Sequence, residues 1–109
     1  AVCGKLLPYV LEANVRALRE RRPACPTLAR FDEIARILTG DSSAKACDAV
    51  VWVQRLCGTF GLPGLRTYGL SESHVLTAAA KAKKASSMKG NPIELQDDEL
   101  AEILRRALD

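Results

Sequence analysis

Aromatic side chains are scarce in this chain: one Trp, two Tyr and two Phe among 109 residues. A core with so few rings must rely on Leu, Ile, Val and Ala, which favours packed helices over a sandwich or barrel. Only one histidine is present, so imidazole chemistry has His74 alone to draw on. No stretch of fifteen consecutive apolar residues occurs, which excludes a membrane-spanning helix. Lys5 and Pro8 interrupt the short apolar run at the start, so no signal peptide is read there. The first residue is Ala rather than Met, which suits an internal boundary or a processed start.

Four cysteines, Cys3, Cys25, Cys47 and Cys57, stand 22, 22 and 10 positions apart, with no C-x-x-C pair. Zinc sites usually need close ligand pairs, and nothing else points to a disulfide-stapled secreted protein. Reduced, buried or semi-buried thiols in a cytoplasmic protein are the expectation. Sixteen basic and 13 acidic residues leave a net charge of +3. The basic residues cluster at Arg16–Arg22 and Lys81–Lys84, but no aromatics alternate with them to stack bases. Solvated helix faces explain both clusters, and nucleic acid is not the expected partner.

Helical periodicity runs through nearly the whole sequence. Val2, Leu6, Leu7, Val10, Leu11, Ala13, Val15 and Leu18 are too broadly apolar for one face, which suggests an inner helix with Pro8 inside it. Leu28, Phe31, Ile34, Ala35 and Leu38 recur at helical intervals and Gly40 ends the run. Asp41, Ser42 and Ser43 offer caps for a third helix, carrying Ala46, Ala49, Val50, Val53, Cys57 and Phe60 and expected to be central. Ser71 caps a fourth, and Asp97-Asp98-Glu99 with Arg105-Arg106 complement the two ends of a fifth. The reading is a single all-α domain over 1–109, a small helical bundle with helices near 2–21, 28–39, 43–60, 71–85 and 97–107. Its expected core is Leu7, Val10, Leu11, Phe31, Ile34, Leu38, Val50, Val53, Phe60, Leu100, Ile103 and Leu104.

Taken residue by residue, no active site emerges. His74 reads as a first-turn residue rather than a ligand, no nucleophile motif surrounds Ser71 or Ser73, and the acidic triplet at 97–99 is explained by capping. Gly61, Gly64 and Gly90 form no phosphate-cradling pattern.

The order of short motifs adds more. Leu6-Leu7-Pro8-Tyr9-Val10 with Asn14, then Phe31-Asp32-Glu33-Ile34-Ala35, Leu62-Pro63, Gly69-Leu70-Ser71-Glu72 and Asn91-Pro92 before the closing helix occur in sequence. Together they resemble the C-terminal helical domain of iron-containing alcohol dehydrogenases, whose fold is dehydroquinate synthase-like. That resemblance implies a fragment of a two-domain enzyme with an N-terminal nicotinamide-binding domain. In the family one Asp and three His hold iron or zinc between the domains. The metal polarises the alcohol oxygen so that hydride can pass to NAD(P).

The family's nearest metal-ligating His falls just before Ala1, so no metal ligand, cofactor-binding residue or catalytic residue is expected in this chain. Ser87 and Met88, ahead of Asn91-Pro92, and Cys3, one turn from the missing ligand, are its substrate-side candidates. The expected partners are the missing N-terminal domain and the ligand-bearing helices. The isolated chain is expected to be inactive and to form a homodimer through its apolar first helix. The competing class is a free-standing helical interaction or nucleic-acid-binding module using the two basic faces.

Overall fold

The computed structural model describes residues 2–85 and 90–109, with the side chains of Val2 and Cys3 outside the description. Five α-helices follow in order: α1 (Val2–Arg21), α2 (Pro26–Thr39), α3 (Ala46–Phe60), α4 (Val75–Lys84) and α5 (Asp97–Ala107). Two 3-10 turns, Leu65–Tyr68 and Glu72–His74, fill the connection between α3 and α4. Among the described residues there is no strand, as the all-α reading expects.

The centre of the bundle is α1, which packs against α2, α3 and α5. Its Ala13, Ala17 and Leu18 meet Val75 and Ala79 of α4 and Leu100, Ala101, Ile103 and Ala107 of α5. Small residues on α1 let the neighbouring helices approach closely, which explains how a nearly ring-free core reaches full burial. On the other side Leu11 packs with Leu38, Ala35, Ala44 and Ala49 in a smaller cluster under α2 and α3. The sequence places α3 at the centre; it flanks α1 instead, because only the Ala46, Ala49, Val50, Val53 stripe is buried.

Three expected core residues are exposed. Leu7 is 50% exposed, Ile34 43% and Phe60 69%. On α2 the inward line is Leu28, Phe31, Ala35 and Leu38, and Ile34 sits one residue, about 100°, off it. Leu7 is displaced in the same way, because Leu6, Tyr9 and Val10 take the core-facing positions of α1. Phe60 ends α3 and lies beyond its neighbours. Val50, Val53, Leu100 and Ile103 are buried as expected, and Val10, Leu11, Phe31, Leu38 and Leu104 are half-buried.

Helix ends follow local chemistry with one exception. Gly40 and Gly61 close α2 and α3 in the left-handed conformation, at φ 72 and 62, where a side chain would be strained. Ser71 sits at the N-cap of the 3-10 turn Glu72–His74, its backbone N–H donating to His74 Nδ1 at 3.3 Å, and α4 itself starts later than expected, at Val75. The exception is α3, which begins at Ala46 rather than near Ser43. Asp41 Oδ1 is engaged by the Ser43 amide at 2.9 Å and hydroxyl at 2.7 Å. These bonds, the hydroxyl's first, hold the Asp41 carboxyl below its ordinary value. The first turn of α3 is satisfied instead by Asp48, which accepts from the Lys45 N–H at 2.8 Å, and by Asp32 of α2, which accepts from the Ala46 N–H at 2.8 Å.

Candidate functional site

A buried amide pair joins α1 to the segment after α4. Asn14 is the buried polar side chain of the described core, 5% exposed. Its Nδ2 donates to Asn91 Oδ1 at 3.1 Å, while Asn91 Nδ2 donates to Asn14 Oδ1 at 2.6 Å and to the Ile93 carbonyl at 2.6 Å. A reciprocal amide pair satisfies groups that would otherwise cost about 1–3 kcal/mol each when buried. It also fixes the entry into Ile93 and Leu95, which are both core residues. Two motifs 77 positions apart are thereby brought into contact.

The first turns of α1 show a second adaptation. Pro8 has no N–H to give to the Gly4 carbonyl four residues back. The Cys57 thiol of α3 donates to that carbonyl, Sγ to O 3.3 Å. Gly4 also lies against Leu62, whose Cδ1 would stand 3.0 Å from any Cβ added there. The turn of α1 that precedes the Leu-Leu-Pro motif is thus packed on Leu62. Farther on, Glu72 of the Gly-Leu-Ser-Glu motif accepts from Arg105 Nε of α5 at 2.6 Å. That bond, then the charge of the same carboxylate, holds the Arg105 proton more firmly than usual.

Of the substrate-side candidates, Ser87 and Met88 lie outside the described residues, and Cys3 is described only as a backbone position in the first turn of α1. Among the other cysteines Cys25 and Cys57 are half-buried and Cys47 is exposed. The expectation of sheltered thiols fails at Cys47 because it sits one residue off the buried stripe of α3. Cys25 has its pKa lowered by the Thr27 hydroxyl and then the Thr27 amide, with Arg22 adding less. His74 is exposed in the first turn as expected, with Nδ1 turned to Ser71 Oγ at 3.0 Å. Among the described residues no three His, Cys, Asp or Glu side chains are placed to hold a metal ion.

The basic clusters are partly neutralised within the fold. Arg16 pairs with Glu12 at 3.6 Å, Arg21 with Glu99 at 3.0 Å and Lys83 with Asp97 at 3.3 Å. Those pairings leave less free positive charge for a phosphate backbone than the sequence count suggests.

Asn14 and Asn91, which pair, and Pro8 and Leu62, which line one recess, belong to motifs that resemble those of one family. The sequence model described as Fe-containing alcohol dehydrogenase family, C-terminal, matches residues 2–108. The chain belongs to this family. No curated protein and no solved structure gives a significant match. The Fe-containing alcohol dehydrogenase match spans all five helices, and the all-helical architecture agrees with a C-terminal helical domain of that family. No helix among the described residues is long and apolar enough to cross a membrane.

In the sequence Asn14 and Asn91 stand in separate motifs, and nothing there pairs them. The signal available was that an amide inside a strongly apolar helix needs a partner. The Cys57 donor and the Asp32 cap carried no such signal, since both act across elements.

Proposed function

We propose that this chain is the C-terminal helical part of a metal- and NAD(P)-dependent alcohol dehydrogenase, which interconverts alcohols and aldehydes by hydride transfer. The observation that carries this reading is the family match over residues 2–108, supported by the Asn14–Asn91 contact between family motifs. The described residues offer no ligand set for iron or zinc. In this reading the metal and nicotinamide are held by the rest of a two-domain cytoplasmic parent. These helices act as scaffold, with α1 carrying on from the ligand-bearing region and the Asn14–Asn91 pair fixing the chain that leaves the Ser87–Met88 segment. The coding region before Ala1 tests it: an in-frame His-Gly step is expected there, and an initiator codon directly before Ala1 would contradict it.

The partners in this reading are the N-terminal cofactor-binding domain and the ligand-bearing helices; alone, the chain forms a homodimer. Its support is uncovered apolar surface: Leu7, Ile37, Phe60 and Leu76 are exposed, at 50%, 80%, 69% and 68%. On α1 the support is narrower than the sequence suggests, because Leu6 and Val10 pack on the core and Leu7 is left outward. Sedimentation equilibrium should report a dimer that Leu7→Lys weakens. A strict monomer at high concentration would reject the association.

A further inference from the structure

We propose that the cavity between the N-terminal half of α1 and the C-terminal half of α3 binds a small organic carboxylate. The cavity measures about 360 Å³ and receives Lys5, Tyr9, Gln54 and Arg106, with Pro8 and Leu62 among its apolar walls. That volume is at the small end of ligand sites. Two cations face one recess, no carboxylate among the described residues lines it, and none of the described carboxylates lies within 4.0 Å of Lys5.

Arg106 is held in place from two sides. Its Nη1 meets Glu12 Oε2 at 2.6 Å, and its guanidinium carbon lies 5.0 Å from the centre of the Tyr9 ring. Fixing a guanidinium before a ligand arrives removes part of the ordering cost of binding. One guanidinium edge is committed to Glu12, and the other donors remain for an anion. Glu12 is shared with Arg16, so charge alone favours an anion of either kind, and it is the apolar walls that favour an organic carboxylate over phosphate. Charge-assisted bonds from Lys5 and Arg106, with the Gln54 amide beside them, suit a carboxylate. Pro8 and Leu62 suit a short apolar body attached to it. The proposal does not rest on the dehydrogenase reading, although Lys5, Pro8 and Tyr9 belong to the helix which that reading joins to the ligand-bearing region.

The test uses the 109-residue chain and benzoate as the probe, followed by calorimetry and by amide shifts of Lys5, Gln54 and Gly58. Saturable binding near about 1 mM is expected, with Lys5→Met and Gln54→Leu each weakening it, the former by about tenfold. Lys84→Met, a change at a distant lysine, should leave it unaltered. Benzamide, which keeps the ring and lacks the charge, should bind far more weakly, and inorganic phosphate should compete poorly. The proposal is overturned if benzoate fails to saturate, if folded Lys5→Met and Gln54→Leu chains bind it unchanged, or if benzamide or phosphate binds as tightly.

Discussion

Gly64→Ala is expected to lower stability by about 3 kcal/mol, close to the upper range for single substitutions. Gly64 has φ −68 and ψ 163, a conformation open to any residue, so the cost does not come from backbone strain. It comes from contact: a Cβ there would stand 2.1 Å from the Leu108 carbonyl oxygen, 2.7 Å from the Leu108 carbonyl carbon and 2.9 Å from the Asp109 carbonyl carbon. All three are backbone atoms and cannot swing aside. The turn must move away from the end of α5, stretching the Arg66 N–H bond to the Leu108 carbonyl, now 3.2 Å. Leu65 and Leu108, 4% and 2% exposed, would be opened with it. Thermal unfolding should fall by roughly 15 °C. Gly58→Ala makes the opposite case: it lies inside α3 with nothing within 4 Å of the added Cβ, so helix propensity should raise stability by about 0.5–1 kcal/mol. Equal effects at the two glycines would refute the close-approach account.

Asn14→Leu is expected to cost about 2 kcal/mol despite adding an apolar side chain to a buried site. The substitution removes both amide bonds to Asn91 and leaves the Asn91 oxygen facing the new methyls. Asn91→Ala should cost a similar amount, because the Asn14 amide then stays buried without its partner. The double variant should be less destabilised than the sum of the two by about 1 kcal/mol, since the second change removes a group the first had already orphaned. Additive losses measured by urea unfolding would mean that the two residues act separately.

The sequence exposed the helices more clearly than their mutual arrangement. Apolar spacing and the charges at 97–99 and 105–106 locate α5 to the residue at both ends, because its signals are local. Helix α3 was misplaced at its start because Asp41 turns back on Ser43 while Asp32, 14 residues earlier, caps Ala46. An acceptor from another helix leaves no mark on local spacing. Leu7, Ile34 and Phe60 were counted as core because a broad apolar run does not say which side will be covered. The alanines that let α1 be central, Ala13 and Ala17, look unremarkable in a list of large side chains. The motif order points to the family; the sequence says that the Asn14 amide needs a partner, but nothing local says that Asn91 is the group that meets it.

In the proposed function these helices complete a metal- and nicotinamide-dependent alcohol dehydrogenase. Alcohol-dependent reduction of NAD or NADP is the direct measurement, made on the full product of the reading frame containing this chain and on the 109-residue chain, each supplied with iron or zinc. The account predicts hydride transfer by the full product and none by the 109-residue chain. A full product inactive with both metals, both nucleotides and a broad set of alcohols, or hydride transfer by the 109-residue chain alone, would contradict it.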